Sequence, residues 1–419
     1  MKSLKIDTTN KLYYEKLDNG MDIYIYYIPE HYKTVANLTV KFGSINEYFE
    51  DQEGAITLPM GTAHFLEHQM FENKNENIFS LFSNQGSKIN AFTNIKYTSY
   101  SISTATNINE NIHNLIEMVH NLDISEEHID KEKKIILQEL NLYQDNIDWL
   151  SRYSILQLLF NDYPICNHIG GTLDSIQKID ISILKRSHQY FYTPSNMKLF
   201  IASPMNPSNL LDIVKNSQII NKNIEVKPNI SPPATNKLEN KRIKLPIKTS
   251  KVYIGYRLTN LKFVNSLLKN EIILDIAFEV LFNNNCENFQ KFKLNNLISS
   301  SIQWDINLEE EFGYIIINFE SDEPYEAQNN IAKFIENNFK NGMNSEIFNS
   351  TKSMRITETL SKFNSIEYIS NKFSQYAFKN ENILTSIQII NNLEEYDVIS
   401  AVKDLLNPCN KSYLIIEGK

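Results

Sequence analysis

A polar, proline-bearing stretch in the middle of the chain constrains its architecture more than any other feature. Residues 222–245 are rich in Asn and Lys and carry Pro228, Pro232 and Pro233, a composition that stays exposed rather than entering a core. It divides 419 residues into two parts of about 200, each the ordinary size of one domain. The expected organisation is an N-terminal domain over 1–221, a linker over 222–245 and a C-terminal domain over 246–419.

The two parts present their elements in similar order. The first opens with KLYYEKLDNGMDIYIYYI, two β-rich runs around Asp18-Asn19-Gly20, and Asn-Gly accepts the positive φ of a tight hairpin turn. TVANLTVKF reads as a further strand, HFLEHQMF as a helix, and INAFT with YTSYSIS as a second strand pair. Helices at NINENIHNLIEMVHNL and SEEHIDKEKKIILQELNLYQD follow, the latter with Ser125 as its cap. A turn at Gly170-Gly171, the strand MKLFIAS and the helix NPSNLLDIVKN close the part. Beyond the linker come the strand KVYIGYRL, a long helix near 266–283, the strands SSIQWDI and FGYIIINFE, several helices and a last strand, SYLIIEGK. The fold class expected is α+β: two similar domains, each a mostly antiparallel sheet packed with helices.

Charge and cysteine usage exclude several functions. A net charge of −9 leaves no basic stripe for phosphates, and KEKK at 131–134 sits among acids, so nucleic acid is not an expected partner. Cys166, Cys286 and Cys409 have no paired spacing, which suggests neither a disulfide framework nor a thiolate zinc site and fits a reducing cytoplasm. The first twenty residues lack an apolar signal core, and no apolar run approaches the roughly 20 residues of a membrane span. A cytoplasmic location is the expectation.

The chemistry gathers in GTAHFLEHQMF at 61–71. On a helix His64 and His68 stand one turn apart on one face and can aim two imidazoles at one ion. Glu67 then lies beside that ion without ligating it, where a base must sit to take a proton from water. This is the inverted form of the common zinc-protease helix. A catalytic zinc needs a third protein ligand and an open fourth position. The best donors are Glu132 and Glu139, two turns apart on one helix. Glu139, within IILQEL, is expected to face inward more than Glu132, although an inward glutamate may equally pair with Lys or Arg. The competing readings are two satisfied histidines with a salt-bridging Glu67, or a structural zinc completed by a distant group such as His128.

GTAHFLEHQMFEN, QGSKINAFTNIKYTSYSI, EKKIILQELNLYQDNIDW, ICNHIGGTLDSIQKI and FYTPSNMKLFIA together resemble the inverzincin metallopeptidases of the pitrilysin, insulinase and mitochondrial processing peptidase group. The resemblance covers nearly the whole chain and is greatest to the short bacterial branch. It implies one Zn2+ per chain held by His64, His68 and Glu139, with Glu67 as general base and Glu132 as a second acidic residue near the site. It implies that Asn90 and Ala91 lie on an edge strand lining a substrate peptide, while the Phe92 side chain is expected in the core. It also implies half of a clam-like chamber. One departure stands out: where active members supply an Arg and a Tyr seven residues apart, FQKFKLNNLISSSIQW offers Lys293 and Ser300. The implied partner is a homologous metal-free subunit in a heterodimer, or a second copy. The expected function is zinc-dependent endopeptidase action on short or unfolded peptides, such as a precursor or leader peptide. The alternative is a non-catalytic peptide-binding subunit with a retained metal site.

Overall fold

The structure, a computed structural model, describes residues 1–5, 10–72, 78–144, 146–217, 226, 230–234, 238–259, 261, 265–341 and 343–418. It is a two-domain α+β fold, and two compact units divide the chain. The first comprises Met1–Gln144, Asn167–Ile230 and Ser365–Phe378; the second comprises Asp145–Cys166, Ser231–Asn364 and Lys379–Lys419.

In the first unit the strands are β1 (Lys2–Lys5), β2 (Lys11–Lys16), β3 (Asp22–Tyr27), β4 (Thr34–Val40), a separate hairpin of β5 (Tyr48–Asp51) and β6 (Gly54–Thr57), β7 (Ser87–Thr93), β8 (Thr98–Thr104) and β9 (Met197–Ser203). The main sheet runs β1-β2-β3-β9-β4-β8-β7. Every neighbour is antiparallel except β3 and β9. Gly20, at φ 92, supplies the left-handed residue that the β2–β3 turn needs. The helices are α1 (Thr62–Gln69), α2 (Ile78–Asn84), α3 (Ile108–His120), α4 (Glu126–Gln144), α5 (Ile147–Phe160), α6 (Leu173–Gln177), α7 (Ile181–Phe191) and α8 (Pro207–Asn216); α5 belongs to the second unit.

The core of this unit joins Leu38 and Val40 of β4 to Phe65 and Leu66 of α1 and to Ile112 and Leu115 of α3. A helix from Ile366 to Ala377 covers the other sheet face. There Phe373 stacks on Phe200 with centroids 4.4 Å apart, and Asn37 donates to Asn371 at 2.8 Å. Both faces of β4 are therefore buried along its whole length. Its polar residues persist because hydroxyls pair across the sheet, Thr34 with Ser203 at 2.7 Å and Thr39 with Ser99 at 2.9 Å.

The second unit holds β10 (Lys241–Lys244), β11 (Ser250–Arg257), β12 (Gln303–Leu308), β13 (Gly313–Ser321) and β14 (Lys411–Glu417), in the order β10-β14-β11-β13-β12. Only the β10–β14 pair is parallel. β10 occupies the end of the stretch read as a linker, of which 222–225, 227–229 and 235–237 lie outside the described residues. A separate core packs Ile254, Tyr256 and Ile317 of this sheet against Phe278 of the helix Leu267–Leu281. Among the described residues no helix is long and apolar enough to cross a membrane.

Candidate metal site

The site is built on α1, and close backbone contacts set where that helix begins. Gly61 precedes it at φ 90, and Gly171 turns at φ 81. A Cβ on Gly61 would stand 2.6 Å from the Gly170 oxygen, and one on Gly171 would stand 2.4 Å from the Met60 oxygen. Two backbones therefore touch where any larger residue would separate them. Ser175 adds a hydrogen bond to the Met60 oxygen at 2.8 Å, and Thr172 and Ser175 form the capping box that starts α6.

From that start α1 presents His64 and His68 side by side, ring centroids 4.6 Å apart. The Oε2 of Glu139, on α4, lies 3.9 Å from Nε2 of each histidine. One ligand atom from each of these three residues lies within 4.8 Å of the other two. Tetrahedral zinc with bonds of about 2.1 Å spaces its ligands about 3.4 Å apart, so Glu139 Oε2 need close on each histidine by only about half an ångström around an ion. Protonation favours the same use. Burial pulls the His64 imidazole down to about 3, with the charges of His68 and His168 acting in the same direction. His64 is thus neutral, as a ligand must be. The residues fit a zinc ion.

His68 is oriented from behind. Its Nδ1 meets Glu132 Oε1 at 2.7 Å, which leaves Nε2 turned toward Glu139, the carboxylate–histidine arrangement that fixes a metal ligand. Burial alone would lower the His68 pKa, but the Glu132 hydrogen bond and charge, with Glu67 and Glu139, raise it above its ordinary value. Glu67 is buried on the same helix and accepts a 2.6 Å hydrogen bond at Oε2 from the Thr93 hydroxyl. Burial raises its carboxyl, an effect that Thr93 and His68 oppose without cancelling.

The chain matches the insulinase (peptidase family M16) profile over 27–173 and the M16 inactive-domain profile over 178–355. It is 30% identical over 403 residues to YmfH of Bacillus subtilis, named an uncharacterized zinc protease, covering 94% of this chain and 93% of that protein. The chain belongs to the insulinase (M16) peptidase family. Among solved M16-type structures, an M16-like peptidase from Alicyclobacillus acidocaldarius superposes with TM-score 0.86 at 20% identity, covering 99% of both chains. The first half of the periplasmic protease PqqL of Escherichia coli superposes with TM-score 0.79 at 18% identity, covering 100% of this chain and 94% of that one.

Within this member of the M16 family the sequence-derived residues fall as follows. His64, His68 and Glu139 converge, with Glu67 and Glu132 against them. The inward order of the two α4 glutamates is the reverse of that expected: the Glu132 side chain is 6% exposed and that of Glu139 is 35% exposed. Glu132 packs behind His68, whereas Glu139 reaches into the open side of the site. His128 does not join the cluster among the described residues. Asn90 and Ala91 lie on β7, at the edge of the main sheet, and Phe92 is half-buried rather than in the core. In the second unit Lys293 donates to Asn284 at 2.8 Å, and the Ser300 hydroxyl accepts the Glu320 backbone N–H at 2.9 Å. Thr93 was missed by the sequence reading. Its signal was the period of two in INAFT, which sets Thr93 on the face of Ala91.

Proposed function

We propose that this chain is a zinc-dependent endopeptidase that hydrolyses short or unfolded peptides, with one zinc held by His64, His68 and Glu139. The observation that carries the reading is the approach of Glu139 Oε2 to both imidazoles at 3.9 Å with the Glu67 carboxylate on the same helix turn. When bound, zinc polarises the scissile carbonyl and lowers the pKa of the attacking water toward about 7. Glu67 takes the proton from that water and returns it to the nitrogen of the leaving amine. Burial suits it to both steps, because a raised carboxyl pKa makes the stored proton easier to hold until the amine needs it. Glu132 holds the His68 ring in register throughout. Asn90 and Ala91 receive the substrate, which adds as an extended strand to the edge of β7 through main-chain hydrogen bonds.

A homologous partner, metal-free or a second copy, completes the enzyme. Likeness to one half of the longer PqqL chain, of which this chain covers 48%, supports such a pairing. So do Lys293 and Ser300, which are engaged within their own unit and replace the Arg and Tyr of active members. A precursor or leader peptide is the proposed substrate. The same two residues favour a second reading, a peptide-binding subunit that keeps its metal and does not cut.

Hydrolysis of a set of unfolded peptides, with and without a homologue encoded beside this chain, separates the two. Cleavage by the wild type that falls by on the order of 10²–10⁴-fold in Glu67→Gln, with zinc retained, is the expected result. Cleavage at an unchanged rate in Glu67→Gln would overturn the mechanism, and no cleavage in any combination would favour the binding subunit.

A further inference from the structure

We propose that Thr93 is a positioning residue for Glu67, so that the strand offered to the substrate also sets the place of the catalytic base. The inference rests on the peptidase reading above and extends it to a residue outside the metal-ligating helix.

β7 alternates its side chains about the sheet. Ile89 and Ala91 pack on the hydrophobic core, and Thr93, two residues further, falls on that same face toward α1. Its hydroxyl donates to Glu67 Oε2 at 2.6 Å, the length of a charge-assisted bond from a hydroxyl to a carboxylate, and its backbone N–H also acts on that carboxylate. Glu67 is 8% exposed, and among the described residues its carboxylate accepts one side-chain hydrogen bond, from Thr93. A buried carboxylate held at one oxygen keeps its other oxygen for the water. Released, a glutamate adjacent to His68 would be drawn toward the cation and close the position that the water needs.

The hydroxyl is itself fixed in direction. Thr98, opposite Thr93 in the β7–β8 register, spends its proton on the Phe42 oxygen at 2.8 Å. It therefore stands 3.3 Å from Thr93 as a possible acceptor only, and the shorter contact to Glu67 takes the Thr93 proton. Asn90 and Ala91 lie three and two residues before Thr93 on the same strand, so a peptide that straightens β7 by adding to its edge also steadies Thr93.

Full-length wild type, Thr93→Val and Thr93→Ser, assayed under the conditions in which the wild type cleaves, test the inference. Val keeps the β-branched shape and removes only the hydroxyl. Zinc content by elemental analysis is expected to be unchanged in both variants. Thr93→Val is expected to lose about 10- to 100-fold in kcat with KM within about twofold, and Thr93→Ser to recover most of that loss. Crystal structures are expected to show the Glu67 carboxylate displaced in the Val variant and restored in the Ser variant. An unchanged kcat in Thr93→Val, a loss confined to zinc content or KM, or an unmoved Glu67 would overturn the role. If the wild type itself does not cleave, the peptidase reading fails, and the Glu67 position in the two crystal structures alone decides the Thr93 inference.

Discussion

A single hydrogen bond, Glu132 to His68 Nδ1, decides which ring nitrogen faces Glu139. Glu132→Ala is expected to weaken zinc affinity by about 10- to 100-fold, measured by competition with a chromophoric chelator, while leaving the fold intact. Gln69 gives a prediction of the opposite sign. It is fully buried in α1, and neither amide atom finds a partner among the described residues. Gln69→Leu is expected to raise stability by about 1–3 kcal/mol, read from the midpoint of denaturant unfolding. At this scale the sequence made His64, Glu67 and His68 legible through spacing alone, because i, i+3 and i+4 share a helical face. The burial order of Glu132 and Glu139 was not legible. Apolar neighbours in IILQEL describe the helix's own surroundings, whereas the depth of each carboxylate depends on where α1 crosses α4.

Between elements, the contact of the Gly170-Gly171 loop with the start of α1 carries the clearest structural liability. Gly171→Ala places a Cβ against the Met60 oxygen at a positive φ, and is expected to lower both thermal stability and zinc occupancy by shifting α1. A second device lies where α3 meets α7. His188 on α7 approaches the Val119 oxygen with Nε2 at 3.0 Å, and burial pushes its pKa down to about 4, with the nearby His120 as a smaller contribution. Above about pH 7 the ring is neutral folded or unfolded and contributes no pH dependence. Below about 6.5 the unfolded chain takes a proton that the folded one refuses, so stability falls until about pH 4, by up to about 3 kcal/mol. The unfolding midpoint across pH 7 to 4 is expected to drop in the wild type and to drop less in His188→Gln, where the buried His64 still refuses its proton. The hairpin at Asp18-Asn19-Gly20 and the longer strands were legible from alternation and turn residues, whereas the four-residue strands β1, β5, β6 and β10 were too short to show a pattern. The insertion of β9 between β3 and β4 was not, because pairing between strands some 160 residues apart leaves no local pattern.

Over the whole molecule, the two units exchange segments: residues 145–166 belong with the second and 365–378 with the first. A linear reading sees one polar stretch between halves and cannot see a helix that belongs to the other side of it. Each unit has its own core. In the second unit the buried Lys379 ammonium meets Glu309 at 3.0 Å and Glu271 at 3.2 Å. Lys379→Ala leaves two carboxylates without their cation and is expected to cost about 3–5 kcal/mol, seen by calorimetry, with zinc content unchanged. The measurement closest to the centre is the zinc content of the purified full chain and of its Glu139→Ala and Glu67→Gln variants. A metal held by His64, His68 and Glu139 beside an unligated base predicts about one zinc per chain in the wild type and in Glu67→Gln, and a large loss in Glu139→Ala. No zinc in the wild type, or equal zinc in Glu139→Ala, would contradict it.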